Sequence, residues 1–132
     1  MISMKNKEIY ENALNAQQFY EENFDIYFPV KCSFYIYKNL NILIDAASYV
    51  DKSRQKILQK FGTPDKDGKY KIAEKEREFV QKELESLSNL YQDLDITLIS
   101  LEDFDGLQLS LKQMKALSFM IKSSKEEKKE EN

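Results

Sequence analysis

The feature that most constrains this chain is an unbroken heptad pattern between residues 36 and 61. One arginine interrupts a series that is otherwise apolar and alternates spacings of four and three residues: Ile36, Leu40, Leu43, Ala47, Val50, Arg54, Ile57 and Phe61. A repeat of three and a half residues puts all of these side chains on one stripe of an α-helix. The pattern therefore predicts a long helix over residues 31–61 with one buried side.

A second stripe with the same spacing follows over residues 73–94. Its members are Ala73, Arg77, Val80, Leu84, Leu87, Tyr91 and Leu94. Between the stripes, Gly62 is expected to end the first helix in a left-handed conformation, and Pro64 prevents that helix from resuming. Two stripes with a short connection predict an antiparallel helical hairpin, because each can bury what the other exposes.

The remaining patterns predict two further helices and a small β element. Residues 4–22 have helical periodicity, and Ser110 with Gln113 forms a capping box at the start of a last helix that ends near residue 121. Residues 24–28 alternate and residues 95–101 are rich in β-branched side chains, so the two segments are expected to pair as strands. The predicted fold is mainly α with minor β.

The length of 132 residues predicts a single domain. We assign residues 1–121 to one helical domain. Residues 122–132 contain no apolar side chain, and we expect them to form a charged tail that is disordered or a frayed helix.

The connection between the two stripes resembles part of a calcium loop. Four of its residues match such a loop: Asp65, Asp67, Gly68 and Glu74. The first ligand position, however, is Thr63 rather than a carboxylate, and three lysines lie beside the acids. We therefore interpret the segment as a tight turn at Asp67-Gly68 and predict no bound metal.

The composition argues against most enzyme chemistry. The chain has no histidine, one cysteine and three scattered glycines, which removes Ser-His and Cys-His pairs, zinc sites and phosphate-cradling loops. Acidic side chains cluster at Glu102, Asp103 and Asp105, where a solvated turn is the simpler interpretation. We predict no catalytic residue, no cofactor and no enzymatic activity.

Charge and hydropathy also limit the classes of partner that this protein is expected to bind. The formal net charge is −3 and the lysines are spread along the chain, so we predict no nucleic-acid partner. No apolar run resembles a signal peptide or a membrane span, and the single Cys32 cannot form an internal disulfide. We expect a cytoplasmic protein without a membrane partner.

Aromatic residues are concentrated in one part of the chain. Half of the eight tyrosines and eight phenylalanines fall between residues 19 and 37. A helix and a strand cannot turn all of them inward, and tyrosine is enriched at protein interfaces. We predict Tyr27, Tyr35 and Tyr37 as exposed contact residues, and core packing for the phenylalanines.

Both arginines, Arg54 and Arg77, fall on the apolar stripes. A guanidinium at such a position can form an ion pair that fixes the register of the hairpin. The acids within reach are Asp51, Glu76 and Glu83. Alternatively, the aliphatic stem packs while the charge reaches water, or the arginines contact a partner protein.

Four segments resemble a family of small proteins of unknown function encoded by phages and prophages of Gram-positive bacteria. They are FPVKCSFYIYKNL, KFGTPDKDGKY, LDITLISLEDF and LSLKQMKALSFMI, within residues 24–121. The matching positions are Pro29-Val30-Lys31, Ser33-Phe34, Lys38-Asn39-Leu40, Phe61-Gly62, Asp65, Asp67-Gly68 and Leu109-Ser110. Tyr37 departs from the family pattern, which has alanine there. The resemblance implies a phage origin and no particular chemistry.

With that resemblance, we expect a non-enzymatic phage or prophage protein that acts through protein–protein contacts. It would self-associate as a homo-oligomer and take part in virion or tail assembly, so it would be made in the host cytoplasm and could join the virion. The alternative is a phage-encoded inhibitor that binds a host or anti-phage defence protein. A small molecule held between subunits is a further alternative.

Overall fold

A computed structural model describes residues 1–122 of the chain. Its elements follow one another in this order: β1 (Ile2–Lys5), α1 (Asn6–Glu22), α2 (Val30–Phe61), β2 (Gly62–Pro64), β3 (Tyr70–Ile72), α3 (Glu74–Asn89), β4 (Tyr91–Leu94), a 3-10 helix (Leu101–Phe104), α4 (Leu111–Leu117) and a second 3-10 helix (Ser118–Met120). The fold is mainly α with minor β, which confirms the predicted class.

Helix α2 carries the core on its heptad stripe. Ile36, Leu40 and Leu43 are buried there, together with Val50. Helix α1 packs on this stripe with its own apolar side, which includes Ile9 and three further buried side chains: Ala13, Ala16 and Phe19. The stripe is buried only as far as Val50, so the last eleven residues of α2 extend beyond the core.

Helices α2 and α3 form the predicted antiparallel hairpin. The rings of Phe61 and Phe79 lie 5.1 Å apart near the connection, and Val50 shares a cleft with Leu84 and Leu87 farther along. Val80 is the buried residue of α3, whose other side chains are partly or fully exposed. The hairpin is therefore an arm that projects from the core rather than the core itself.

The predicted pairing of residues 24–28 with residues 95–101 is wrong. The first segment is a loop, and the second forms one isolated bridge, between Ile99 and Ile121. Strand β4 forms instead, just before the second segment, and it pairs antiparallel with β1. The register runs from the pair of Ile2 with Leu94 to the pair of Lys5 with Tyr91. Helix α3 consequently ends at Asn89, before the predicted end at residue 94.

The segment after β4 is extended because a side chain takes the place of a strand partner. Asn39 is fully buried in α2 and donates from Nδ2 to the Thr97 carbonyl at 2.8 Å. Its Oδ1 accepts the Thr97 amide proton at 2.9 Å. Both backbone groups of Thr97 are thus satisfied by one amide, and a partner strand is unnecessary there.

A second polar cluster joins the ends of several elements. The Asn6 side chain donates to the Leu87 carbonyl at 2.7 Å and accepts from Gln92 at 2.8 Å. Gln92 also donates to the Ala46 carbonyl at 3.3 Å. This half-buried cluster ties the start of α1 to α2 and to the end of α3, where it supplies a donor for the Leu87 carbonyl.

Strands β2 and β3 form a hairpin at the far end of the arm. Gly62 has φ −114° and ψ 164°, so it is extended, and the predicted left-handed cap is wrong. Glycine is needed there for space, because a Cβ would lie 2.7 Å from the Leu58 carbonyl oxygen and 2.9 Å from Cδ1 of Ile72. The close approach allows the chain to leave α2 directly into a strand.

The turn of this hairpin is held by Asp65. Its carboxylate accepts the backbone amide protons of Asp67 and Lys69, each at 2.9 Å. Gly68 has φ +78°, a conformation that favours glycine. The prediction of a tight turn is confirmed, and Oδ1 of Asp65, one of the acids in the calcium-like pattern, accepts from the turn's own backbone.

The predicted capping box of the last helix is also confirmed. The Ser110 side chain accepts the Gln113 amide proton at 3.1 Å, and the Gln113 side chain accepts the Ser110 amide proton at 2.9 Å. The predicted tail lies outside the described residues except for Lys122, whose amide donates to the Ile99 carbonyl at 2.9 Å. Among the helices of residues 1–122, none has the length and apolarity that a membrane span requires.

The Asn39 contact generates a stability prediction. Asn39→Leu keeps the number and branching of the side-chain heavy atoms but leaves the Thr97 amide and carbonyl without their partner, so we expect a loss of about 3 kcal/mol in the free energy of unfolding. Urea denaturation measures the loss. The control is Asn41→Leu, at an exposed position two residues along the same helix, which we expect to change stability by less than about 0.5 kcal/mol. Equal effects would contradict the proposed contact.

The hairpin turn can be tested in the same way. Asp65→Ala removes the acceptor of two amide protons, and we expect the free energy of unfolding to fall by about 1 kcal/mol. Asp67→Ala is the matched control, because its exposed side chain makes no such bonds within residues 1–122. Millimolar calcium should not shift the melting temperature of the unaltered protein; a clear rise would overturn our interpretation of the turn.

Candidate interaction surface

Large apolar side chains are exposed together where α1 is connected to α2. We call this set the aromatic surface; it comprises Phe24, Ile26, Tyr27, Val30, Phe34 and Tyr37. Tyr27 is 96% exposed, Val30 86% and Phe24 71%. Monomeric proteins rarely leave large contiguous apolar patches in water, so this surface is a candidate contact site.

The loop that carries the surface is anchored by Phe28. Its ring lies 5.8 Å from the ring of Phe19 and 6.2 Å from that of Phe104, and it packs against the core. The Ser33 hydroxyl donates to the Phe28 carbonyl at 3.3 Å. Pro29 follows as the cap residue of α2. Anchoring one aromatic residue inward leaves its neighbours in the short loop facing outward.

Ring contacts also fix part of the surface itself. The ring of Tyr20, in α1, lies 5.8 Å from that of Phe24 and 6.1 Å from that of Tyr37. Tyr20 thus connects the loop to the first turns of α2. The exposed rings are held in place by this contact before any partner binds, which lowers the entropic cost of association.

The three predicted contact tyrosines differ in their surroundings. Tyr27 and Tyr37 belong to the aromatic surface, and Tyr37 is 55% exposed. Tyr35 is only partly exposed, because its side chain packs against the core and against the edge of Phe34, whose ring is 5.4 Å away. The helix turns successive residues by about 100°, which separates Tyr35 from Tyr37.

The two arginines lie on the projecting arm, far from the aromatic surface. Along α2, Arg54 is seventeen residues beyond Tyr37, about 25 Å of helix. Arg77 donates from Nε to the Ile72 carbonyl at 3.3 Å, at the end of β3. Neither arginine forms a salt bridge with any of residues 1–122, so of the alternatives left open for the arginines, the register-fixing ion pair is not found among these residues.

Asp51 is one of the acids considered as partners of the arginines. The carboxylate accepts a hydrogen bond of 2.6 Å from the Tyr10 hydroxyl. This bond raises the pKa of Tyr10, and burial raises it further. Arg54 instead borders a cleft of about 400 Å³ between α1, α2 and α3, beside Leu84 and Leu87. Arg54 is an exposed residue at the edge of this cleft.

One member of the predicted acidic cluster, Asp103, has a structural role. Asp103 forms a salt bridge of 3.2 Å with Lys31, and its carboxylate accepts the Ser100 amide proton in a capping box. The Cys32 thiol donates to the Asp103 carbonyl at 2.9 Å, and burial raises the pKa of this thiol. These bonds fix the 3-10 helix against the start of α2.

The aromatic surface surrounds a shallow depression of about 670 Å³. Its lining is apolar apart from Asp25 and Ser33. No group of three or more potential ligands (His, Cys, Asp or Glu) that could hold a metal ion occurs in the described part of the chain. A partner that binds this surface would therefore act by excluding water from its aromatic rings.

Another depression, of about 300 Å³, lies between α1 and α4. Polar pairs bridge it: Glu22 with Lys112 at 3.0 Å, and Gln113 with Asn23 at 2.8 Å. The hydrogen bond from Lys112 lowers the pKa of Glu22. These two contacts join the C-terminal end of α1 to the start of α4.

Comparisons with known proteins add no assignment: no family model, no curated protein and no solved structure matches this chain.

Several members of the aromatic surface were not predicted as exposed. Phe24 and Ile26 had been expected in a strand, and Phe34 had been expected in the core. A signal was present in α2, where a second apolar series runs beside the buried stripe: Val30, Phe34, Tyr37 and Ile44. One helix with two apolar stripes exposes one of them unless a partner covers it.

Tyr27 and Tyr35 generate a prediction about stability. Tyr35→Ser removes a ring that packs on the core, so we expect the free energy of unfolding to fall by about 2 kcal/mol. Tyr27→Ser removes a ring that is 96% exposed, and the change should be less than about 0.5 kcal/mol. Urea denaturation of dilute protein measures both; a large loss for Tyr27→Ser would show that this ring belongs to the core.

Proposed function

We propose that this protein acts without catalysis, through protein–protein contacts, and that it self-associates through the aromatic surface. The observation that carries this proposal is the contiguous exposure of Phe24, Tyr27, Val30, Phe34 and Tyr37. Tyrosine and phenylalanine are enriched at interfaces, where burying their rings contributes much of the binding free energy.

The anchoring of the surface supports its use as an interface. Phe28 holds the loop to the core, and Tyr20 holds Phe24 and Tyr37. A stable interface buries about 800 Å² on each partner. Aromatic side chains bury about 150–250 Å² each, so the central rings together with their borders are sufficient for such a contact.

The biological role that we propose follows from the family that the sequence resembles. A phage or prophage protein that self-associates suits virion or tail assembly, where many copies of one chain must contact one another. The second candidate is an inhibitor that docks the same surface on a host or anti-phage defence protein. The two candidates share the contact surface and differ in whether the partner is another copy of this chain.

The test replaces the two central rings. Tyr27→Ser/Phe34→Ser removes exposed apolar area without removing core packing, so the monomer should stay folded while self-association weakens about a hundredfold or more. Analytical ultracentrifugation over a range of concentrations measures the association constant, and circular dichroism checks the fold.

A matched control removes a tyrosine and an apolar residue from other parts of the protein. As a pair, they are exposed to a similar extent as Tyr27 and Phe34. Tyr49 is 65% exposed and Leu111 is 92% exposed, and neither belongs to the aromatic surface. Tyr49→Ser/Leu111→Ser should associate like the unaltered protein. If the unaltered protein is a monomer at all concentrations, self-association is contradicted, and a defined complex with a host protein would then favour the inhibitor.

A further inference from the structure

A smaller depression, of about 140 Å³, borders the aromatic surface. We call it the aromatic pocket. Its lining consists of five aromatic rings, two isoleucines, one asparagine and one serine: Phe19, Tyr20, Phe24, Phe28, Tyr37, Ile26, Ile36, Asn23 and Ser33. Four of these residues also line the depression of about 670 Å³, so the two hollows are continuous: Phe24, Ile26, Phe28 and Ser33.

The walls of the aromatic pocket hold one another in place. The rings of Phe19 and Phe28 lie 5.8 Å apart, and the ring of Tyr20 lies 5.8 Å from that of Phe24 and 6.1 Å from that of Tyr37. A pocket that is formed before its occupant arrives costs little ordering entropy on binding.

The size of the aromatic pocket selects one class of occupant. Sites for drug-sized molecules and cofactors have volumes of about 300–1,000 Å³, whereas an apolar cavity of about 150 Å³ binds benzene. The pocket therefore takes a single ring. Its lining also includes the oxygens of Asn23 and Ser33, which can accept a proton from a hydroxyl group. A ring with a hydroxyl group, as in tyrosine, suits both features.

Tyr27 is such a ring, and it lies beside the pocket. It stands between Ile26 and Phe28, which both line the pocket, and it lines the larger depression itself. Its side chain is 96% exposed, so it contacts almost nothing in its own chain and does not fill the pocket next to it. One surface thus carries a protruding ring and a hollow of the size of a ring.

From this arrangement we infer that two copies of the protein form a symmetric dimer, in which Tyr27 of each copy inserts into the aromatic pocket of the other. The inference rests on the proposed self-association and adds the geometry of the contact. A two-fold axis between the copies makes both insertions at once, because each copy presents the same ring and the same pocket. The contact is closed, so association through it stops at two copies.

The exposed area is close to what a stable dimer needs. At their exposed fractions, the rings of Phe24, Tyr27, Phe34 and Tyr37 supply about 600 Å² on each copy. Val30, which is 86% exposed, adds to this area. A stable interface buries about 800 Å² on each partner.

The charge of the lining also suits an apolar ring. Among the residues of the described chain that line the two hollows, Asp25 is the single charged one. A phosphate group would meet this carboxylate and no cation, which disfavours a nucleic acid as the occupant.

The first experiment changes the ring and the pocket separately. Tyr27→Ser removes the ring, and Ser33→Phe places a new ring in the lining of the pocket and fills it. Each variant should weaken dimerisation about thirtyfold or more, because each removes both insertions. Sedimentation over a range of concentrations measures the dissociation constant, and circular dichroism checks the fold.

Each variant has its own control. Ser33→Ala removes the hydrogen bond to the Phe28 carbonyl without filling the pocket, and its dissociation constant should stay within about threefold of that of the unaltered protein. Tyr49→Ser removes a tyrosine that is 65% exposed on another part of α2, and it should dimerise like the unaltered protein.

The second experiment mixes the two defective variants. Tyr27→Ser keeps an open pocket, and Ser33→Phe keeps the protruding ring, so a mixed dimer regains one of the two insertions. Association in the equimolar mixture should exceed that of either variant alone by about fivefold or more. Mixing Tyr27→Ser with Tyr27→Ser/Ser33→Phe provides no ring and should give no recovery. Absence of recovery in the first mixture would contradict the reciprocal contact.

The third experiment tests the pocket without changing its lining. The probe is p-cresol, which has the structure of the tyrosine side chain, added to the Tyr27→Ser variant. The methyl NMR signals of Ile26 and Ile36 should shift on addition, because both residues line the pocket. Ile99, a core residue outside the pocket lining, is the control and should not shift. If the signals of Ile26 and Ile36 stay unchanged, the pocket does not bind a tyrosine ring.

The outcomes separate this inference from the proposed function. If Tyr27→Ser/Phe34→Ser abolishes association while folded Ser33→Phe associates normally, the aromatic surface binds another copy in a different way and the insertion is wrong. Oligomers that grow beyond two copies through this surface would likewise overturn the closed contact. If the unaltered protein never associates, both proposals fail.

Discussion

The buried amide of Asn39 is the contact on which the rest of the structure depends. By bonding both backbone groups of Thr97, it allows an extended segment to lie along α2 without a partner strand. That segment covers the heptad stripe and leads into the 3-10 helix that carries Phe104. Phe104 contacts Phe28, and Phe28 anchors the loop of the aromatic surface. A single side chain in the middle of a helix thus supports both the core and the candidate interface.

Helix α2 gives the molecule two distinct ends. Its first half is covered by α1 and by the segment after β4, and its second half extends past Val50 into an arm with α3. The ends of one rigid helix cannot approach each other, so features at the two ends are kept apart. The aromatic surface lies at one end, and the β2–β3 hairpin lies at the other.

Local sequence patterns predicted the structure well where residues that are close in the sequence bond to one another. The extent of α2, the turn at Asp67-Gly68 and the capping box at Ser110 all depend on contacts over a few residues, and each has the predicted form. The strands were mispredicted because pairing depends on distant residues. Residues 95–101 have the β-branched character of a strand, yet the Asn39 side chain takes the Thr97 groups, and β1 pairs with the residues that precede them. Gly62, likewise, is required because its neighbours leave no space for a side chain, and not because its backbone conformation needs glycine.

The sequence by itself determined the class of the fold, the helical hairpin and the concentration of aromatic residues before α2, because periodicity and composition are local properties. Only the tertiary structure decided which of those rings are exposed. Phe28 points inward because Phe19 and Phe104 form its pocket, and Tyr35 is covered by the core, whereas Tyr27 and Tyr37 meet no such neighbours.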